Sequence, residues 1–475
     1  MRRYLFFFQL VFCVLFLVTQ SLSAQEISGT GEEEKIHAQT PDLTEIRVLD
    51  LRTAGQVALA ESPSLVAAEA RVRQAKERIL QARSAYWPRI DATGSSSRVW
   101  LSDTAHENAL QSARMFNPEA DVDDPEDYHR AGLSAAWVLF DGFEREFSVA
   151  SARFAEQESR EARMNTRRLI LSSVAAAYYN AQLAIENTAI ADADESFYGR
   201  QVEDAQARRR VGTGALSDVL TFQVQLNSAK GELIQAKQMY KASLFALAAL
   251  MGIPEAAFPN HLELAPLESE SPEEMMLPDP DAQIAYALEH RPDVLQSGYT
   301  TMRAASGVGA ARAKFFPTLS LSASLNGERT DKPDFDPDDF GKNIMLNLSY
   351  NLFDGGANKA KLRESKLRKT EAEKEMENVR ITVASEVRKA LTKLESAQEQ
   401  LLLQRSNADM VRKNRDLVEK EYTAGQTSLV RLNSAQRDLI AAQGRLALAI
   451  VSLQQAWHDL KVNTGEILTD FDFPD

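Results

Sequence analysis

The chain carries two hydrophobic rhythms that exclude one another. Met376, Val379, Val383, Val387, Ala390, Leu394, Ala397 and Leu401 step by three and four, and after a break Leu432, Ala435, Leu439, Ala442, Leu446, Ala449 and Leu453 do so again. Such sustained spacing predicts heptad seams on long helices. An earlier seam, Val219, Phe222, Leu226, Ala229, Leu233, Ala236 and Tyr240, has the same form. Asn358 to Thr423 contains no proline, which allows a helix of about 100 Å at about 1.5 Å per residue, longer than a globular core requires.

Between the helical stretches the period drops to two. Leu319, Leu321, Ala323 and Leu325 alternate with Ser320, Ser322, Ser324 and Asn326, and Ile344, Leu346, Leu348, Tyr350 and Leu352 alternate with Met345, Asn347, Ser349 and Asn351. Arg89 to Trp100, and Leu133, Ala135, Trp137 and Leu139, form a weaker pair. These are strands of about 10 residues, long enough to cross a bilayer when tilted. A half-buried soluble strand alternates in the same way. An apolar face opposite one rich in hydroxyls and amides suits lipid on one side and water on the other. Hydrocarbon forbids open sheet edges, and the smallest natural barrels use about eight strands, so strands from two, three or four chains must combine.

Both rhythms occur twice. Ala58-Leu59, Pro63 and Trp87-Pro88 recur 229 positions later as Ala287-Leu288, Pro292 and Phe316-Pro317. Leu139-Phe140-Asp141-Gly142, Gly212 and Gly252 recur 213 positions later as Leu352-Phe353-Asp354-Gly355, Gly425 and Gly465. The first copy therefore holds 16 extra residues between Trp100 and Arg130. The expected organisation is a signal peptide (1–24), a disordered tail (25–46), a first copy (47–252), a Pro- and Glu-rich linker (253–280), a second copy (281–465) and a C-terminal tail (466–475). Each copy should open with one helix of about 30 residues, then run strand, loop, strand, very long helix, Gly-containing turn and long helix.

The leader is read from Arg2 and Arg3 ahead of an apolar run, Leu5 to Val18, that ends in Ser21 to Ala24. That run is shorter than the roughly 20 residues of a membrane helix, as a secretory signal is. The only cysteine, Cys13, lies inside it, so disulfides, cysteine nucleophiles and thiolate metal sites are excluded from the mature chain. Removing two arginines takes the net charge from −14 to −16, which disfavours nucleic acid and anionic surfaces as partners. The six histidines show no metal-ligand spacing. Acidic loops at Asp121, Asp123, Asp124, Glu126 and Asp127, and at Asp334, Asp336, Asp338 and Asp339, suit solvation or divalent cations, but lack the glycine of a calcium loop. No cofactor, metal or catalytic constellation is expected.

In these residues the chain resembles the TolC family of outer-membrane efflux proteins. The likeness rests on Ala58-Leu59 with Ser62-Pro63-Ser64-Leu65, Tyr86-Trp87-Pro88, Leu-Phe-Asp-Gly at both strand-to-helix junctions, and the Val211-Gly212 and Ala424-Gly425 turns. It implies a mixed α and β membrane protein: a homotrimer in which twelve strands close one outer-membrane barrel, continuous with a periplasmic helical barrel built from two internal repeats per chain. It also implies a periplasmic adaptor and an inner-membrane pump of RND, ABC or MFS type as partners, for drug efflux or type I secretion. Nothing in the sequence resembles a phosphate-binding loop, which agrees with a passive duct.

The two Gly turns sit at the ends of the long helices farthest from the strands, at what would be the periplasmic mouth. By resemblance, Gly212, Thr213, Gly214, Ala215 and Leu216, with Gly425, Gln426, Thr427 and Ser428, are the adaptor-docking surface; read plainly, they are good turn residues. Asp218 and Tyr422 match family positions that hold the mouth shut. Arg431 stands where the family often has an aspartate, and Ser434 follows it. A gate is therefore expected in which Asp218 pairs with Arg431 or Tyr422 between neighbouring hairpins. Arg208, Arg209 and Arg210 suit an acidic adaptor or a solvated helix face equally. A rival reading, a periplasmic coiled-coil adaptor or scaffold, shares the hairpins, but the duplicated strands speak against it.

Overall fold

Proline placement decides where the first helices break. The computed structural model describes residues 43, 44, 46–259, 261–267, 275–330 and 332–471. The expected signal peptide and most of the tail, part of the linker and the end of the C-terminal tail lie outside the described residues. Helix α1 (Leu51–Glu61) starts at Asp50, whose carboxylate accepts the Thr53 amide at 2.7 Å. It ends where Ser62 turns extended before Pro63, the first residue of α2 (Pro63–Ser84). Arg291 and Pro292 divide α6 (Pro280–His290) from α7 (Pro292–Ala313) in the same way. The single opening helix expected in each copy is thus two helices, because proline lacks the amide a continuing helix needs and fits only its first turn.

Strands β2 (Arg89–Val99), β3 (Glu126–Phe140), β5 (Thr318–Thr330) and β6 (Phe340–Ser349) form one antiparallel sheet in the order β2-β3-β5-β6. A short parallel pair, β1 (Val48–Leu49) and β4 (Glu263–Leu264), ties the linker to the start of α1. In the main sheet, Leu133, Ala135 and Trp137 lie opposite Leu325, Ala323 and Leu321. Ala323, Leu321 and Leu319 lie opposite Ile344, Leu346 and Leu348. Because side chains alternate across a strand, this register gathers the apolar positions of three strands on one face and Ser320, Ser322, Ser324 and Asn347 on the other.

Three local details differ from the sequence reading. Tyr350 and Leu352 lie beyond β6, since the chain leaves the sheet early enough for Asp354 to accept the Gly356 and Asn358 amides at 2.9 and 2.8 Å. Strand β3 begins at Glu126, inside the acidic loop, where the Arg98 guanidinium donates to Asp127 at 2.7 Å across the strand pair. The extra residues of the first copy hold a helix, α3 (Asp103–Arg114), capped by the Ser102 hydroxyl.

The Leu-Phe-Asp-Gly motif now has a physical reason. Asp141 accepts the Glu144 and Arg145 amides at 3.1 and 3.3 Å at the start of α4 (Glu144–Arg210), and Asp354 serves α8 (Ala357–Thr423) likewise. Both helices are 67 residues long, about 100 Å at the α-helical rise. Each returns through a tight turn into α5 (Leu216–Leu250) or α9 (Leu429–Thr464). The long helices of the second half follow those of the first at the 213-residue offset, and the opening helices at 229. Hairpin α4–α5 lies against hairpin α8–α9 through α4 and α9, and nearer the sheet α2, α4, α7 and α8 pack in the order of the strands beyond them.

Heptad positions from the sequence fill the seams. Val383, Val387, Ala390, Leu394, Ala397 and Leu401 are buried with Leu453 and Leu460 in one cluster, and Val219, Phe222, Leu432 and Ala435 join Phe197, Tyr198 and Val418 in another near the turns. Among the described residues no helix is long and apolar enough to cross a membrane.

Candidate gate and docking surface at the helical tip

The two turns are built alike. At the end of α4 the Thr213 amide reaches back to the Arg208 carbonyl at 3.0 Å and the Gly212 amide to Arg209 at 3.0 Å. At the end of α8 the Gln426 amide reaches Glu421 at 2.8 Å and the Gly425 amide reaches Tyr422 at 3.0 Å. This paired bonding needs a left-handed residue after the helix, supplied by Gly212 at φ 79° and Gly425 at φ 74°. The second turn is closed by Ser428, which caps α9 by accepting the Arg431 amide. Val211, Leu216, Leu220, Val224 and Val430 remain largely exposed around the turns.

Of the expected gate residues, Tyr422 lies within range of the Asp218 charge, and Arg431 turns elsewhere. Tyr422 is half-buried between the hairpins of one chain, its ring edge-on to Phe222 at 6.0 Å and the Arg208 guanidinium 5.4 Å from the ring centre. Burial, and then the nearby Asp218 carboxylate, raise the Tyr422 hydroxyl above its ordinary pKa. Arg431 instead leans toward Glu421 of its own turn, 4.0 Å away. Arg208 therefore contacts Tyr422 within the chain, a role the sequence reading left between an adaptor contact and solvent. That contact spans 214 positions and depends on the register between two hairpins.

Farther up, polar pairs between the hairpins carry side chains that the sequence reading did not single out. Gln201 donates to Glu419 at 3.3 Å, and Gln436 donates to the buried Asp194 at 2.7 Å. Arg415 lies 5.6 Å from the centre of the Phe197 ring. No heptad rule flags a buried aspartate, since it stands where the pattern calls for an apolar residue. Among the described residues no cluster of His, Cys, Asp or Glu is arranged to hold a metal ion.

Comparison with known proteins agrees with this geometry. The profile of the family described as outer membrane efflux protein matches residues 54–253 and 284–466. The chain is 25% identical over 404 residues to the outer membrane efflux protein BepC of Brucella suis, covering 85% of this chain and 81% of that one. It is 27% identical over 390 residues to the pyoverdine export outer membrane protein OpmQ of Pseudomonas aeruginosa, covering 82% and 79%. The fold matches the outer membrane protein VceC of Vibrio cholerae with a TM-score of 0.72 at 20% identity, over 87% of this chain and 96% of that one. The alternating sheet, the paired rods beneath it and the matching profile over most of the length make this chain a member of the outer membrane efflux protein family, an outer-membrane channel with its helical part in the periplasm.

Proposed function

We propose that three copies of the chain close one twelve-stranded barrel and, beneath it, one helical tunnel, each copy contributing two structural repeats. The observation that carries this reading is the pair of unfilled sheet edges: β2 and β6 end the order β2-β3-β5-β6, and hydrocarbon tolerates no open edge. Joining β6 of one copy to β2 of the next removes both, and the packing order of α2, α4, α7 and α8 continues the same closure below. The apolar face of the register turns to lipid and the Ser- and Asn-bearing face to water. Trp87, Phe143, Phe315 and Phe316, exposed where the strands meet the helices, suit an interfacial aromatic girdle.

The duct is passive and has no catalytic chemistry of its own; its energy comes from an inner-membrane pump of RND, ABC or MFS type, coupled through a periplasmic adaptor. Residues 212–216 and 425–428, with the exposed apolar side chains around them, form the docking surface for that adaptor. The cargo is a drug, a small exported molecule such as the pyoverdine of the relative's name, or a secreted protein. Fractionation tests the assembly: the chain is expected in the outer membrane and, unheated in detergent, to migrate as a trimer that boiling converts to the monomer. A monomer that stays dissolved in detergent-free buffer would overturn the reading.

The mouth is held closed by Asp218, Tyr422 and Arg431. The Asp218 charge acts on Tyr422 within one chain, and Arg431 is released from its weak 4.0 Å contact with Glu421 to pair with the Asp218 of a neighbouring hairpin. Exposed pairs contribute about 1 kcal/mol or less each, so several copies make a latch that an adaptor can open. Replacing both residues, Asp218→Ala with Arg431→Ala, is expected to raise single-channel conductance in planar bilayers. Conductance equal to that of the parent protein counts against the latch.

A further inference from the structure

The seam between the two hairpins of one chain contains a polar group that its neighbours do not satisfy. Asp194 on α4 and Gln436 on α9 are 7% and 3% exposed, and the Gln436 amide nitrogen donates to Asp194 Oδ1 at 2.7 Å. One helical turn from each stand Tyr198 on α4 and Asn433 on α9, 2% and 8% exposed. Tyr198 Oη, Asn433 Oδ1 and Gln436 Oε1 are buried with no hydrogen-bond partner. With Asp194 ionised, the pair has two acceptor oxygens, Asp194 Oδ2 and Gln436 Oε1, and no hydrogen between them. One proton on Asp194 Oδ2 supplies it: the carboxyl then donates to Gln436 Oε1 while still accepting from the Gln436 amide, a closed acid–amide pair across the seam.

We propose that Asp194 is a proton-binding site that clamps hairpin α4–α5 to hairpin α8–α9 when it is occupied and loosens them when it is empty. The proton comes from hydronium in the periplasmic water: one hydronium O–H bond breaks, the Asp194 Oδ2–H bond forms, and a neutral water is left. The charged groups around it are few. Glu232 on α5 opposes a second negative charge at this point, and Arg437 on α9 acts on the Tyr198 hydroxyl. On α8, Glu419 is engaged by Gln201, and Arg415 lies against Phe197 and bonds Glu419 at 2.8 Å. Burial, partly offset by the Gln436 hydrogen bond, holds the Asp194 carboxyl above its ordinary pKa, and burial pushes the neighbouring Tyr198 hydroxyl up to about 12.

The sign follows from linkage. A carboxyl whose folded pKa lies above the ordinary 3.8 gives stability that is complete below that value and is lost as pH rises through the folded pKa. Asp194→Asn keeps the donor and the acceptor but cannot ionise, so it mimics the clamped state at every pH. Thermal melting of the detergent-solubilised full chain, parent and variant, between about pH 4 and about pH 8 tests this. The melting midpoint of the variant is expected to rise relative to the parent as pH increases, by on the order of 2 °C or more. Asp194→Ser should show the same trend, because the trend is the parent's own titration, and it serves if the asparagine variant does not fold. A difference independent of pH overturns the proposal, because Asp194 then holds its proton no more tightly in the folded chain than in the unfolded one. The consequence for the duct rests on the trimeric reading: parent pores should conduct less at the acid end, and Asp194→Asn pores should lose that dependence. The melting comparison needs no pore, so failure of the trimer and failure of the proton site are told apart.

Discussion

Leu346→Arg is expected to abolish the heat-modifiable trimer and leave the chain outside the membrane fraction. Leu346 lies on β6 opposite Leu321, with Ile344 and Leu348 on the same face of the strand, and 62% of it is exposed in the single chain. On a lipid-facing strand an arginine near the bilayer midplane costs about 2–4 kcal/mol. In the proposed trimer three copies bring that to on the order of 6–12 kcal/mol, comparable with the whole stability of a typical domain. The adjacent Asn347→Arg is the control, because its side chain points to the other face, which the proposed barrel turns to water. That variant should assemble, with altered conductance. If Asn347→Arg is lost from the membrane and Leu346→Arg inserts, the two faces of the sheet are assigned the wrong way round.

Arg291→Ala should be the most damaging single change in the helical part. Arg291 is 2% exposed. Its Nε donates to Asp293 Oδ1 at 3.0 Å, and Nη1 donates to Glu386 Oε2 at 2.7 Å and to the Asn463 carbonyl at 2.9 Å. Beside it Arg168 donates to the Val462 carbonyl at 3.1 Å and approaches Asp293 at 3.8 Å. One guanidinium thus ties the start of α7 to the middle of α8 and the end of α9, with α4 alongside. Removing it takes a charged donor from two partly exposed carboxylates and from a helix-end carbonyl, at a cost of about 1.5–3 kcal/mol. Arg291→Lys should recover only part of the loss, since an ammonium cannot span the same fork. Burial pushes the Asp293 carboxyl up, but the Arg291 hydrogen bond and charge, and then Arg168, outweigh it and hold the group below its ordinary 3.8. Its stabilisation is therefore present above that pH and fades as pH falls through the folded value. Melting midpoints of parent, alanine and lysine variants check the order, and an unchanged midpoint for Arg291→Ala would remove the cluster from the account.

Periodicity exposed much of this architecture because both of its parts are regular and extended. A helix of 67 residues cannot hide its three-and-four spacing, and Val383 to Leu401 are buried where the seam predicts. Strand alternation likewise announced which residues share a face, since side chains alternate whatever the tertiary context. Breaks were less legible. Ser62-Pro63 and Arg291-Pro292 stood in plain view, yet whether such a proline kinks one helix or starts another depends on the residue before it adopting extended backbone. Helix α3 was missed because a capped twelve-residue helix in a polar insert carries no long seam.

What the order of residues decided by itself was the inventory: long rods, amphipathic strands too few to close, tight Gly turns at the far end and acid caps at each strand-to-helix junction. Each depends on contacts within a few positions, and local sterics and hydrogen bonding suffice to specify it. Only the tertiary structure decided how the rods stand against one another, and with that which polar side chains meet. Arg208 reaches Tyr422, Gln436 reaches Asp194 and Arg291 reaches Glu386 across 214, 242 and 95 positions. A heptad seam states which face is buried but leaves the vertical register between hairpins open, and that register is chosen by the packing of Phe197, Phe222, Val418 and Leu432 together.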